Sequence, residues 1–467
     1  MKISRRHLLG TGLLGSVASL LPTSLPAAPP VGAKSGKVRG VIFMVSDGMS
    51  HGVLSITEAF SRQVRDCPTR WWNLMSEKSS FQGLMDTASG NSLVTDSAAA
   101  SSAWSSGHRI PNGQINVDAN GRQLQSIGEA VVAGGARLGL VTTATVTHAT
   151  PAGFAAQTPD RDAEDRIAPQ YLNRAEIVLG GGSKFFDPAQ RADQKDIYAD
   201  YQAAGYDILR TRDQLLAAKS GKLLGTFFPG HLPYMVDREQ DAQLQANVPT
   251  LAEMSRAALE RFLPSDQSFL LQIEGARIDH AAHANDIGAI VREQMAFDDA
   301  MATVLEMIAD HPDVLVIATS DHGNSNPALN GTGAKYGQTN EHFKRIADIH
   351  CSHEKLLADW TAKNGNRSDL QEMIEQGFGF RPDDQEAEAL LATLAGKAFI
   401  QWSHQLSNPP GLLGQITGNH TGTGWTSVSH TSDPTAITAT GPGADQFAGL
   451  VRNDHVRGKI LGLLQIA

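Results

Sequence analysis

Val38-Arg39-Gly40-Val41-Ile42-Phe43-Met44-Val45-Ser46-Asp47-Gly48 reads as a β-strand running into a turn. Five consecutive apolar residues, Val41 to Val45, leave no polar face, so the strand is expected to be covered on both sides. Comparable runs recur at Leu138–Thr143, Glu176–Leu179, Ser268–Ile273 and Val314–Thr319, with helical patterns between them. The clearest helix is Asp286–Asp310, where Ile290, Phe297, Met301, Val304, Leu305 and Ile308 recur at helical spacing. Strands that alternate with helices predict an α/β fold, a three-layer sandwich with a central, largely parallel sheet and helices on both faces. Thr435–Thr440 alternates like a further strand, and a helical pattern runs from Phe447 to Leu464.

The rhythm breaks between about Asn324 and Thr421. That stretch holds Gly331–Gly337, a polar helix-like region around Ala358–Gly377 and the loop Asn408-Pro409-Pro410-Gly411. It reads as an insertion into the α/β core. At the other end, Ser4-Arg5-Arg6-His7-Leu8-Leu9 opens a run through Leu21 with no charge after His7, and small residues follow at Ala27-Ala28. This is the pattern of a twin-arginine signal peptide; the run is too short and too glycine-rich for a membrane span. The expected organisation is a signal peptide at 1–28, a Pro/Ala/Gly-rich linker at 29–37, and one domain at 38–467 with its insertion at about 324–421. The twin-arginine export machinery is then a partner, and the expected location is periplasmic or secreted.

With 41% hydrophobic and 19% charged residues the chain is globular rather than disordered. A formal charge of −10 excludes nucleic acid as a binding partner, because a phosphate backbone needs a basic surface. A small anion remains acceptable, since metal ions invert the local potential. The two cysteines, Cys67 and Cys351, are too few for a thiolate zinc site, and the sequence does not decide whether they pair. Any metal must be held by carboxylates, imidazoles and hydroxyls.

Such groups sit just past the expected strands: Asp47-Gly48, Glu274-Gly275 and Asp321-His322-Gly323. The carboxyl ends of parallel strands face the crevice where ligands bind. One Asp-Gly there is an ordinary turn, but several carboxylates in one crevice repel unless cations lie between them. Asp279 and His283, four residues apart, can share one face of a helical turn and reach one metal. Val94-Thr95-Asp96-Ser97-Ala98-Ala99 opens a small-residue helix. It reads either as a plain N-cap or as a nucleophile placed at a helix N-terminus.

Together these pieces resemble the alkaline phosphatase family. The resemblance rests on Ser46-Asp47-Gly48-Met49, Val94–Ala99, His148-Ala149-Thr150-Pro151-Ala152, Ile273–His283, Thr319-Ser320-Asp321-His322-Gly323, and His430-Thr431 before Gly441-Pro442. It implies hydrolysis of small phosphate monoesters through a phosphoserine on Ser97, with two zinc ions (Zn2+) and one magnesium (Mg2+). By the same resemblance Asp279, His283 and His430 hold one zinc, and Asp47, Asp321, His322 and Ser97 hold the other. Asp47, Thr150 and Glu274 hold magnesium, and Arg161 clamps the phosphate. The family is often dimeric, so a homodimer is an expectation of the resemblance alone.

Two positions differ from the best-known bacterial members, which carry Asp and Lys where this chain has His148 and His280. The histidine pair is similar to that of animal members, and both are read as hydrogen-bonding groups around the third ion and the phosphate. His420 competes with His430 for the last zinc position, and the spacing to Gly441-Pro442 favours His430. The rival functions are a phosphodiesterase or phosphonate hydrolase with the same ligands, and a non-catalytic periplasmic protein binding metal or phosphate. Ser97 and Arg161 speak against both.

Overall fold

In the computed structural model, which describes residues 38–467, the apolar runs form the centre of a ten-stranded sheet. Its strands are β1 (Gly40–Ser46), β2 (Ser80–Asp86), β3 (Arg137–Thr145), β4 (Ile177–Gly181), β5 (Asp207–Leu209), β6 (Leu223–Thr226), β7 (Phe269–Gly275), β8 (Val314–Thr319), β9 (Thr435–Thr440) and β10 (Gly449–Arg452). Their order across the sheet is β10-β2-β9-β8-β1-β7-β3-β4-β6-β5. Only β9 runs against its neighbours, β8 and β2; the other pairings are parallel.

The period-two pleat divides β1 between two cores. Ile42 and Met44 pack with Val141, Ile273 and Val316 under the helices His51–Arg65, Leu251–Phe262 and Ile287–Met307. Val41, Phe43 and Val45 pack with Leu140 and Ile317 under Ser97–Ser106, Ala149–Ala155 and Val456–Leu464. Each buried side chain of this size contributes roughly 1.5–3 kcal/mol, which is why an uninterrupted apolar run sits in the middle layer. The fold is the three-layer α/β sandwich that the sequence predicts.

The differences are local. The helix expected at Asp286–Asp310 spans Ile287–Met307, and Asp286 is its N-cap, accepting a bond from the Ala289 amide at 2.9 Å. The helix expected over Phe447–Leu464 begins only at Val456; before it, β10 pairs with β2 and buries Val451 while Leu450 is exposed. That alternation has the period of a strand. β2 itself, Ser80-Phe81-Gln82-Gly83-Leu84-Met85-Asp86, was not legible because its faces mix polar and apolar residues. Residues 324–421 add no strand to the main sheet. They supply the helices His353–Ala362, Arg367–Phe378, Asp384–Leu394 and Pro409–Thr421, whose Leu356, Leu370, Leu390 and Leu413 join the first core.

The signal peptide and linker expected at 1–37 lie outside the described residues. Among the described residues no helix is long and apolar enough to cross a membrane. Cys67 and Cys351 are both free.

Candidate functional site

The strands β8, β1, β7 and β3 are adjacent and parallel, so their carboxyl ends share one edge. Register puts Val45 beside both Glu274 and Thr319, and Thr142 beside Glu274. Asp47, Glu274, Asp321 and His322 therefore meet at one end of the sheet. β9 runs the other way, so its start lies at this same edge and brings His430 there. A two-residue bridge pairs His430 with Asn324 and Thr431 with Gly323.

Two close approaches depend on glycine. Gly48 has φ +67°, and a Cβ there would lie 2.3 Å from Asp279 Oδ1, so the turn after Asp47 can seat against Asp279 only without a side chain. A Cβ on Gly153 would meet Ser101 Oγ at 2.1 Å; its absence lets the helices bearing Ser97 and Thr150 touch.

Three groups of potential ligands result: Asp279, His283 and His430; Asp47, Asp321 and His322; and Asp47, His148 and Glu274. Within each, ligand atoms lie no more than 4.8 Å apart. Asp47 belongs to two of them. His283 Nδ1 bonds the Val428 carbonyl at 2.8 Å, and His430 Nδ1 bonds the Thr95 carbonyl at 2.9 Å. A carbonyl can only accept, so both rings carry a proton on Nδ1 and turn Nε2 toward Asp279. The distances from these Nε2 atoms to the Asp279 carboxylate are 3.4 and 3.6 Å. Asn324 Nδ2 donates to Asp279 Oδ1 at 2.7 Å and fixes that carboxylate. His322 Nε2 lies 3.1 Å from Asp321 Oδ2 and 3.7 Å from Asp47 Oδ1.

The electrostatics call for cations. Burial, then the carboxylates of Asp321, Asp279 and Glu274, push the Asp47 carboxyl well above the usual range. Burial raises Glu274 to about 7, although Thr142 Oγ1 donates to it at 2.5 Å. Against the upward push of burial, His283, His430 and His322 hold Asp279 well below the usual range. Both oxygens of Asp47, Oε1 of Glu274 and Oγ1 of Thr150 are buried without a hydrogen-bond partner. Buried oxygens this close, left unpaired by the protein, fit metal ions as their missing partners.

Ser97 is the first residue of its helix. The preceding Asp96 caps it through the Ala99 amide at 2.8 Å, and Ser97 Oγ is 3.1 Å from His322 Nε2. Arg161 reaches the same end of the helix, its Nη1 3.2 Å from Asp96 Oδ2 and its Nη2 3.2 Å from His148 Nε2. A guanidinium only donates, so His148 accepts on Nε2 and its buried, unpartnered Nδ1 bears the proton. His280 stands edge-on to His148, with ring centroids 5.5 Å apart, and accepts from Arg277 Nη1 at 2.9 Å. His420 is not brought to the site; it stacks on Phe380 at 3.9 Å.

The sequence reading missed Thr142, Asn324 and His231. Asn324 stands two residues after His322, and that proximity was a usable signal. His231 comes from an irregular loop after β6 with no motif around it, yet its ring lies 4.5 Å from that of His280.

The family model for alkaline phosphatase matches residues 38–466. Alkaline phosphatase 3 of Bacillus subtilis (strain 168) is 28% identical over 487 aligned positions, covering 100% of this chain and 98% of that protein. Among solved structures, the Thermus thermophilus alkaline phosphatase superposes with a TM-score of 0.88 at 33% identity, over 96% of each chain. A cold-active alkaline phosphatase from Shewanella sp. gives 0.75 at 29% identity, over 91% of this chain and 99% of its own. The match runs through every strand and helix that builds the site, and the chain belongs to the alkaline phosphatase family, a family of metal-dependent phosphatases.

Proposed function

We propose that the protein is an exported phosphatase that hydrolyses phosphate monoesters through a covalent phosphoserine on Ser97. The observation that carries this reading is the convergence of Ser97 Oγ, His322 and the unpaired Asp47 carboxylate beside the Arg161 guanidinium.

Asp279, His283 and His430 would hold one zinc, and Asp47, Asp321, His322 and Ser97 the second. Asp47, Thr150 and Glu274 would hold a magnesium. When bound, these ions lower the pKa of a serine hydroxyl and neutralise charge on the phosphate and its leaving oxygen. Arg161 presents two parallel N–H groups, the shape that fits two phosphate oxygens, and His148 and Asp96 keep it aimed beside Ser97. Ser97 attacks phosphorus: the Oγ–P bond forms, the bond from phosphorus to the ester oxygen breaks, and the alcohol leaves with a proton. Water then attacks phosphorus, the Oγ–P bond breaks, and phosphate is released. The helix N-terminus under Ser97 favours negative charge at Oγ in both steps. With Nε2 taken by Arg161 and a proton on Nδ1, His148 acts as a hydrogen-bonding group beside the third ion rather than a ligand.

Export by the twin-arginine route rests on Arg5-Arg6 and the apolar run after them. Residues 324–421 form an insertion on the α/β core, and a homodimer follows the habit of the family. The deciding experiment compares a chromogenic phosphate monoester with the matching diester at alkaline pH, before and after chelation and metal repletion. Monoester turnover that chelation abolishes and zinc with magnesium restores is expected. Preference for the diester would make the protein a phosphodiesterase, and zinc binding without turnover would make it a binding protein.

A further inference from the structure

A cavity of about 400 Å³ borders His283 and is walled by His231, Tyr234, Arg277, His280 and Glu354. A second, of about 410 Å³, shares His231, Tyr234, Arg277 and Glu354 with it and extends the space to Leu232, Asp241 and Lys355. None of these side chains is used by the reaction derived above, apart from the ligand His283 and the neighbouring His280.

The hydrogen bonds fix what the cavity offers. The Thr145 amide donates to His231 Nδ1 at 3.1 Å, so the neutral ring carries its proton on Nε2. Arg277 donates to His280 Nδ1, so that ring also carries its proton on Nε2. Burial, with Arg277 and Lys184 nearby, lowers His231 to about 4, so that ring is an uncharged donor at neutral and alkaline pH, and the bond from Arg277 leaves His280 Nε2–H as the second donor. Arg277 is buried, with its guanidinium 3.6 Å above the Tyr234 ring, and its charge is answered by Glu354 at 2.9 Å. Farther out, the second cavity is lined by Asp237 and Asp241, and its Lys355 is already paired with Asp359 at 2.7 Å, so among the described residues no free cation awaits an anion there. A second phosphate or carboxylate on the substrate would have to displace Glu354 and approach Asp241.

We infer that this paired cavity is the subsite for the leaving alcohol and takes an uncharged polyhydroxylated alcohol of the sugar or cyclitol type. Its hydroxyl oxygens accept from the Nε2–H groups of His231 and His280, and its C–H surface lies against Tyr234 and Leu232. The inference rests on the phosphate monoester reading, and His283 links the two: it borders the first cavity and belongs to the ligand group with Asp279 and His430.

The test uses the zinc- and magnesium-loaded enzyme with myo-inositol 1-phosphate, methyl phosphate and glucose 1,6-bisphosphate. Wild type should favour the inositol ester over methyl phosphate by at least about tenfold in kcat/KM, the worth of one or two hydrogen bonds. His231→Phe should reduce that ratio about tenfold, chiefly through KM, and His231→Gln should restore part of it. Free myo-inositol should inhibit wild type competitively, a measurement that does not depend on the variants folding. Equal use of methyl phosphate and the inositol ester would overturn the subsite while leaving the monoesterase intact. An equal loss on both esters in His231→Phe would reduce His231 to a support for the Thr145 backbone. Preference for the bisphosphate would overturn the uncharged class, and failure on every ester would remove the monoesterase reading itself.

Discussion

The Nε2 atoms of His283 and His430 face each other across 3.0 Å, although each ring has its Nδ1 on a backbone carbonyl. Two imidazoles with protons committed to Nδ1 present lone pair to lone pair, an arrangement that a shared cation resolves. His430→Ala should therefore lose about one zinc per chain and at least about a hundredfold in monoester turnover. His420→Ala, which removes only a ring stacked on Phe380, should retain the full metal content and turnover. Metal analysis of the two purified variants separates them; the reverse pattern would place the last ligand at His420.

Ser97 Oγ can be removed without disturbing its helix, because the cap belongs to Asp96. Ser97→Ala should fold with the stability of wild type, keep its metal, and lose more than about a thousandfold in kcat. Wild type, quenched in acid during turnover, should carry phosphate on this serine, and the variant should carry none. Turnover within a few-fold of wild type would reassign the nucleophile.

How far the sequence could be read follows the range of the forces. Val41–Val45 announces a strand buried on both faces because burial on both faces is written in consecutive residues. Asp47, Glu274 and Asp321 could be placed together once the strands were parallel, since strand ends in such a sheet share an edge. β10 was hidden because Gly449-Leu450-Val451-Arg452 has only one buried residue, and its pairing with β2 is decided by a partner more than 300 positions away. His231 was hidden for a similar reason. Its contacts are with Thr145 and His280, and nothing adjacent in the chain signals them.

Arg161 is held at two points, by Asp96 and by His148, and both contacts use its terminal nitrogens. Lysine keeps the charge but cannot span two oxygens in one plane. Arg161→Lys should raise both KM for a monoester and the inhibition constant of inorganic phosphate by about tenfold, with kcat falling less. Phosphate inhibition measured on both proteins checks this; an unchanged inhibition constant would remove Arg161 from the phosphate site.

Glu293 is buried in the helix Ile287–Met307 and accepts the Met235 amide at 2.6 Å. Burial pushes its carboxyl up to about 7. A folded-state pKa above the unfolded one means that the stability tied to this group is present below about 4.5, the ordinary glutamate value, and is lost as pH rises through 7. Glu293→Gln keeps an oxygen for the Met235 amide and removes the ionisation. The metal-loaded variant should therefore unfold several degrees above wild type at pH 8.5, a gain on the order of 3 kcal/mol, and close to wild type at pH 5. Thermal unfolding at the two pH values decides it. A gain of the same size at both would mean that Glu293 affects packing rather than charge, and a loss at pH 8.5 would mean that pairing with Arg277 makes the ionised carboxylate stabilising.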